Sequence, residues 1–233
     1  MKLAVASSAL HDAIVSGALT QLEFVEWCAR DVDCDIVLDT RHFPRSDDDY
    51  LAQLKKMATD LGITLVALRD DDLCARDENG VESIFRMALA LGTPVITTML
   101  GAQSDGPWID QLVRIGHVTR ASKRYNVTLA LRNDPQTRAS SVSACKQIAK
   151  ETDSAWLRFG PRVDRFSEAD DASQLAAKTV LLWADLADDP GSRILGIRRV
   201  MPDYRGFIAL DGDLSPAAAS ASAHAWAREL RTL

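Results

Sequence analysis

The feature that most constrains the fold of this chain is a series of short apolar runs, each separated from the next by a segment with helical signals. The runs are mainly apolar rather than alternating, as expected for parallel strands that are buried on both faces. They lie at 3–6, 36–38, 63–68, 95–99, 127–131, 155–159, 179–183 and 206–210. Dividing 233 residues by eight gives about 29 residues a unit, close to the roughly 30 of a strand–helix–strand step.

Residues with known preferences for helix ends stand between these runs. Thr20 and Glu23 have the spacing of a capping box, which predicts a helix beginning there. Gly62, Gly92 and Asn126 tolerate the left-handed conformation that ends helices, and each comes just before an apolar run. An alanine-rich segment at 215–233 predicts a closing helix.

Eight such units predict one (β/α)₈ TIM barrel, a single domain over residues 1–233. The alternative is an open doubly wound sheet, which usually has a glycine-rich turn after its first strand. Ser7-Ser8-Ala9 is not such a turn, so the barrel is favoured. Pro190, Gly191, Gly196 and Pro202 predict a short seventh helix.

Composition excludes several classes of protein. A net charge of −6 lacks the basic surface of a nucleic-acid binder. No apolar stretch approaches the roughly 18 residues of a membrane span. The four cysteines form no C-x-x-C pair and are interpreted as buried thiols, so we expect a cytoplasmic protein without nucleic acid or membrane partners. Tryptophan and leucine in the helices make a homodimer plausible.

Charged residues at the ends of apolar strands are the candidates for function, because a barrel carries its site at the carboxyl ends of its strands. Asp39, Arg132, Arg158 and Asp211 meet this test best. Burying such a charge unpaired costs several kcal/mol, so each indicates either a ligand or an ion-pair partner across the mouth. The run Arg69-Asp-Asp-Asp72 is locally self-compensating and indicates a solvated loop.

Three sequence segments at strand ends resemble those of a known family. They are VLDTRHFP at 37–44, LALRNDP at 129–135 and GFIALD at 206–211. They resemble those of the xylose isomerase-like sugar phosphate isomerases and epimerases, over nearly the whole chain. The resemblance implies a TIM barrel with a divalent metal, held by a Glu closing strand five, Asp or His after strands six and seven, and a Glu at strand eight.

The residues at those positions differ from the family pattern. Arg132 stands in place of the strand-five Glu and Asp134 in place of the following His, while only Asp211 keeps a carboxylate. A guanidinium beside a dication is unfavourable in a low-dielectric site, so we expect a degenerate metal site with no metal. A relocated Mg²⁺ or Mn²⁺ site formed by Asp39, Asp185 and Asp211 is the alternative.

The remaining charges predict where a ligand binds. Arginines follow strands two, five and six, whereas aspartates follow strands seven and eight, which predicts a basic wall facing an acidic arc. The residues expected to bind a small anionic metabolite are Arg132, Arg158, Arg162, Arg41, Asp134 and Asp185. The expected catalytic residues are Asp211 or Asp39, with a carboxyl pKa raised by burial, and His42 as an alternative base.

Two hypotheses follow for function. The first is an isomerase- or epimerase-like enzyme acting on a small anionic sugar or hydroxy acid without the family metal. The second is a catalytically inactive barrel that binds a metabolite or pairs with itself. His42 is open to a simpler interpretation, a loop residue packed against Phe43.

Overall fold

The computed structural model of the protein describes residues 1–102, 104–167 and 171–232, and its strands follow the apolar runs of the sequence. All eight predicted strands form. They are β1 (Lys2–Ala6), β2 (Asp35–Asp39), β3 (Leu65–Arg69), β4 (Val95–Thr98), β5 (Thr128–Leu131), β6 (Leu157–Phe159), β7 (Leu181–Asp185) and β8 (Phe207–Asp211).

Helices occupy the segments between the strands. They are α1 (His11–Val15), α2 (Gln21–Trp27), α3 (Asp48–Asp60), α4 (Glu78–Leu91), α5 (Trp108–Tyr125), α6 (Val142–Thr152), α7 (Pro190–Val200) and α8 (Pro216–Thr232). The last residue of the predicted closing helix, Leu233, lies outside the described residues. No helix in the described part of the chain is long and apolar enough to cross a membrane.

The strands are joined in parallel, in the order β6-β5-β4-β3-β2-β1-β8-β7. Parallel bridges between Phe159 and Thr179 and between Arg162 and Trp183 bring the two ends of this sheet together. The Trp183 N–H donates to the Pro161 carbonyl at 3.0 Å across this seam. The chain therefore has the (β/α)₈ TIM barrel fold that the sequence predicts.

The helix ends follow the sequence signals closely. Thr20 and Glu23 form both hydrogen bonds of the capping box. Gly62, Gly92 and Asn126 all have positive φ, as expected where the chain turns from a helix into the next strand. The four cysteines are buried and free, in agreement with their interpretation as thiols.

Side chains alternate along the strands between two apolar clusters. Leu3 and Val5 of β1 belong to the large cluster between barrel and helices, whereas Ala4 and Ala6 point into the barrel. The inner cluster is small: alanines of three strands, together with Val37, Val66 and Leu181, pack with Trp183 of β7. These alanines leave room for the fully buried indole, and the charged residues of the mouth lie above it.

The structure corrects one expectation about the third unit. Arg69 and Asp70 were expected in a solvated loop, but Arg69 is the last residue of β3 and both are buried. The pleat turns Arg69 inward, and Asp70 instead pairs with Arg76 at 2.8 Å. A count of local charges misses this arrangement because the other partners of Arg69 are far away in the sequence.

Candidate functional site

Arg69 lies at the centre of the barrel mouth and joins the ends of several strands. Its Nη1 donates to Asp211 Oδ2 at 2.9 Å and to Ser8 Oγ at 2.6 Å. Its Nε and Nη2 contact Asp71 Oδ2 at 2.9 and 2.5 Å, and Nε lies 3.6 Å from Asp39 Oδ2. One guanidinium therefore connects carboxylates that follow β2, β3 and β8.

Arg132 is the second guanidinium of this cluster and comes directly after β5. Its Nη1 lies 3.0 Å from Asp71 Oδ1, and its Nη2 lies 3.3 Å from Asp211 Oδ2. The guanidinium carbon lies 4.2 Å from the centre of the Trp183 ring, within the range of a cation–π contact. Burial lowers the Arg132 pKa below its ordinary value, and the charge of Arg69 acts in the same direction.

The ion pair between Arg41 and Asp39 completes the cluster on the β2 side. Arg41 donates to both carboxylate oxygens of Asp39, from Nε to Oδ1 at 3.0 Å and from Nη2 to Oδ2 at 2.7 Å. Asp39 is buried, whereas about half of the Arg41 side chain is exposed. We call the set Asp39, Arg41, Arg69, Asp71, Arg132 and Asp211 the mouth network. Its positive and negative charges balance.

Two serines after β1 link the mouth network to a pair of histidines. Ser8 Oγ donates to Asp211 Oδ1 at 2.6 Å. Ser7 Oγ accepts the Asp39 backbone N–H at 2.9 Å and lies 2.8 Å from His42 Nδ1. His42 Nε2 in turn lies 2.9 Å from His11 Nδ1. The buried His42 is thus part of a hydrogen-bonded chain that ends at the partly exposed His11.

The wall formed by β5, β6 and β7 holds a second group of charges. The side-chain amide of Asn133 accepts from the Arg162 backbone N–H at 2.7 Å and donates to the Arg162 carbonyl at 3.0 Å, which fixes the chain after β6. The Arg162 guanidinium lies 3.5 Å from both Asp164 and Asp185. Arg162 is therefore buried at the rim beside Trp183, with carboxylates on its outer side.

Three N–H groups of this wall are buried and have no acceptor among the residues that the structure describes. They are Arg132 Nε, Arg162 Nε and Trp183 Nε1. A buried donor without an acceptor costs about 1–3 kcal/mol, so such groups are uncommon in folded proteins. These three lie on adjoining segments, in β7 and just after β5 and β6.

The expectation that Asp39 and Asp211 have raised pKa values is wrong. Burial does raise the pKa of Asp211, but the charges of Arg69 and Arg132 and the hydrogen bond from Ser8 outweigh it. For Asp39 the effect of burial is likewise outweighed by hydrogen bonds from Arg41 and by the charge of Arg69. Both pKa values lie below the ordinary aspartate value, so both groups are carboxylates at neutral pH.

His42 is held neutral by its surroundings. Burial lowers its pKa below the ordinary value. The charge of Asp39 opposes this shift, whereas His11, Arg41 and Arg69 add to it. The interpretation of His42 as a loop residue packed against Phe43 omits its main contacts, which are the hydrogen bonds to Ser7 and His11.

The structure brings together some of the predicted site residues and not others. Asp39, Arg41, Arg132 and Asp211 meet in the mouth network. Arg158 pairs in register with Ala130, two residues before the level of Arg132, and donates to the Leu157 carbonyl.

Asp134 and Asp185 lie nearer the rim. Asp134 is 3.4 Å from Arg165 and caps the turn at Gln136, whereas Asp185 is 3.5 Å from Arg162. The predicted separation of a basic wall from an acidic arc is wrong, because the arginines and aspartates of the mouth alternate as ion pairs. Strand order alone places side chains near each other but does not show which of them pair.

Sequence reasoning did not select Arg69, Asp71, Ser7, Ser8 or His11 for the site. One signal was available, since two small polar residues follow the buried first strand directly. A hydroxyl at a strand end reaches the barrel mouth without filling it.

The residues present do not fit a divalent cation. The Arg69 guanidinium occupies the space between Asp39 and Asp211, two of the three carboxylates of the alternative metal site. The third, Asp185, faces Arg162. Within the described ranges no group of three or more His, Cys, Asp or Glu side chains is arranged to hold a metal ion. A dication here would meet guanidinium groups at the oxygen atoms it needs.

Comparison with solved structures places the fold among xylose isomerase-like barrels. A xylose isomerase-like TIM barrel/4-hydroxyphenylpyruvate dioxygenase fusion protein matches 99% of this chain with a TM-score of 0.72 and 17% identity. The chain spans 42% of that fusion protein. A D-psicose 3-epimerase, crystallised in the presence of D-fructose, matches 100% of this chain and 99% of its own, with a TM-score of 0.76 and 12% identity.

A probable 3-DHS dehydratase from Bacillus anthracis matches 96% of this chain and 97% of its own, with a TM-score of 0.74 and 14% identity. No family model and no curated protein matches the sequence. At these identities the likeness establishes the fold alone. The chain is thus a single-chain TIM barrel with the fold of xylose isomerase-like proteins and sugar epimerases, as its strand-end segments imply.

Proposed function

We propose that this barrel binds a small anionic sugar or hydroxy acid at its mouth, as a sugar isomerase- or epimerase-like protein that works without a divalent metal. The mouth lies at the carboxyl ends of the strands, where barrel enzymes carry their sites. Solved barrels of the same fold include a D-psicose 3-epimerase and a 3-keto-D-glucoside 4-epimerase from E. coli. These names support the substrate class by analogy of fold.

The observation that carries the proposal is the set of unpaired N–H groups on Arg132, Arg162 and Trp183. Hydroxyl and carboxylate oxygens are the acceptors that such donors need, and a sugar acid offers several of them on adjacent carbons. Charge-assisted hydrogen bonds from a guanidinium are about twice as strong as neutral ones. A carboxylate of the ligand is therefore the group best suited to Arg132 and Arg162.

Arg69 and Arg132 supply the positive charge of the mouth. Both contact Asp71 and Asp211, so two monocations lie where carboxylates from β3 and β8 converge. Fixed positive groups in a buried site stabilise negative charge that develops on a ligand oxygen. In the proposed enzyme this is what the two guanidinium groups contribute, and neutral His42 with His11 is the pair suited to proton transfer.

A second candidate is a barrel that binds the same ligand without turnover. It is favoured by one observation: Asp39 and Asp211, the expected proton-exchanging residues, are held as carboxylates by their arginine partners. A carboxylate with a lowered pKa is a weak base, so proton exchange by either residue is disfavoured. The two candidates share the binding site and differ only in chemistry.

Thermal denaturation in the presence of D-gluconate, L-malate and D-fructose tests the binding site. We expect the acids to raise the melting temperature, because a ligand that binds only the folded state stabilises it. In Arg132→Met, D-gluconate affinity should fall at least tenfold, since a charge-assisted hydrogen bond contributes about 1.5–3 kcal/mol. Burial and the charge of Arg69 already disfavour the charged form of Arg132, and Arg69 still pairs with both Asp71 and Asp211 in this variant, so we expect little change in stability.

Arg165→Met is the matched control, because Arg165 lies at the rim and pairs with Asp134. This variant should bind D-gluconate like the wild type. Full affinity in Arg132→Met, together with a clear loss of stability, would make Arg132 a structural residue and refute the proposed binding role. Incubation of the stabilising compounds with the protein in D₂O, followed by proton NMR, separates the two candidates, since an epimerase exchanges a carbon-bound proton and a binder does not.

A further inference from the structure

The hydroxyl of Ser7 fixes the direction of a hydrogen-bonded chain. A serine hydroxyl has one proton to donate and two lone pairs with which to accept. Ser7 is fully buried, and one of its lone pairs accepts the Asp39 N–H at 2.9 Å. His42 Nδ1, at 2.8 Å, is its remaining partner among the described residues. The Ser7 proton is therefore satisfied only when Ser7 donates to His42 Nδ1.

This direction sets the tautomers of both histidines. A neutral imidazole that accepts at Nδ1 carries its proton on Nε2. His42 Nε2 then donates to His11 Nδ1, which lies 2.9 Å away. His11 accepts at Nδ1 and so carries its own proton on Nε2. That nitrogen has no hydrogen-bond partner within the described ranges, and the His11 side chain is partly exposed at the barrel mouth.

We propose that His11 presents an Nε2–H donor to a ligand oxygen at the mouth, and that the buried pair Ser7 and His42 holds it in this tautomer. His42 and Ser7 are positioning residues, since they act through His11. The group recognised is a carbonyl, hydroxyl or carboxylate oxygen, because an ammonium or amide N–H would face another donor. The ligand-facing role rests on the proposed function, whereas the tautomers do not depend on it.

The groups around His42 agree with a neutral ring at this position of the hydrogen-bonded chain. The charged groups that face His42 are Asp39 and Arg41 on its own segment and Arg69 of β3, with His11 of α1 as the other titratable neighbour. Both carboxylate oxygens of Asp39 already accept hydrogen bonds from Arg41, so the charge of Asp39 is largely compensated near the His42 ring. Ser8, the neighbour of Ser7, donates to Asp211 and takes no part in the chain.

Long-range proton–nitrogen NMR of the imidazole rings at neutral pH tests the inference on the ligand-free protein. We expect the proton to lie on Nε2, and Nδ1 to be unprotonated, in His42 and in the His11 ring that it contacts. His42→Asn keeps an amide near the Nδ1 position but cannot reach His11, so His11 should become a mixture of tautomers. His117 and His224 lie on helices and serve as internal controls.

A protonated Nδ1 on His42 in the wild type would overturn the inference, whether or not the variants fold. D-gluconate tests the ligand-facing role: His11→Phe should weaken its binding about three- to tenfold, and His11→Gln, which retains a donor, should not. Equal binding by wild type and His11→Phe would refute this role. Absence of D-gluconate binding in the wild type would count against the proposed ligand. The NMR measurement of the tautomers would still test the direction of the hydrogen-bonded chain.

Discussion

Asp211 is the residue on which the ion pairs of the barrel mouth converge. It accepts from Arg69, Arg132 and Ser8, and about a tenth of its side chain is exposed. Replacement by asparagine leaves two buried guanidinium groups with less compensation. We expect Asp211→Asn to lower the free energy of unfolding by about 3–5 kcal/mol, as when one partner of a buried ion pair is removed.

Urea denaturation of Asp211→Asn and of the control Asp213→Asn measures this effect. Asp213 is exposed and accepts one long hydrogen bond from the Asp12 N–H, so its replacement should change stability by less than about 0.5 kcal/mol. Equal stabilities for the two variants would mean that the mouth network contributes nothing to folding.

The lowered pKa values of Asp39 and Asp211 also predict how stability depends on pH. Both values are lower in the folded state than the roughly 3.9 of an unfolded aspartate. Their contribution is therefore fully present above the unfolded value and is lost as the pH falls through the folded values. Between pH 6 and pH 3 the wild type should lose more stability than Asp211→Asn, and parallel curves would contradict the pKa shift of Asp211.

Individual site residues could be predicted where a charge directly follows an apolar strand. Asp39, Arg132 and Asp211 were identified in this way and meet in the mouth network. Arg69 also follows an apolar run, but the three aspartates after it predicted a solvated loop. It does pair with Asp71, and it also contacts Ser8 and Asp211, which are 61 and 142 residues away in the sequence. The sign of a pKa shift depends on such partners, so it could not be predicted from burial alone.

Secondary structure elements were easier to predict because their signals are local. The capping box of Thr20 and Glu23 is an example, since both hydrogen bonds lie within four residues. We expect Thr20→Ala to cost about 1 kcal/mol of stability, the usual effect of removing an N-terminal cap. Thr59→Ala, in an exposed helical position where the hydroxyl donates to the Lys55 carbonyl, should cost nothing.

Thermal or urea denaturation of this pair of variants checks the helix boundary. A loss of stability in Thr59→Ala as large as that in Thr20→Ala would show that the effect is not one of capping.

The ends of strands were less predictable than those of helices. The third strand was placed at 63–68 and is observed at Leu65–Arg69, a shift that moves Arg69 from a predicted loop into the barrel.

At the scale of the whole molecule, eight apolar runs of nearly constant spacing were enough to predict the barrel. The closing seam between β6 and β7 was not evident from the sequence, because it consists of two isolated bridges and brings Arg162 beside Trp183. The inner layer of small aliphatic side chains around Trp183 likewise depends on packing between distant strands. The mouth network rests on this layer, so its geometry required the complete fold.

Guanidinium groups occupy the part of the barrel mouth where the resemblance to xylose isomerase-like proteins implies a divalent metal. Elemental analysis of protein purified without chelator, followed by calorimetric titration with Mn²⁺, tests this most directly. Because Arg69 and Arg132 already contact the carboxylates of the mouth, we predict less than stoichiometric metal and no saturable Mn²⁺ binding. One tightly held Mn²⁺ or Zn²⁺ per chain, lost in Asp211→Asn, would contradict the account.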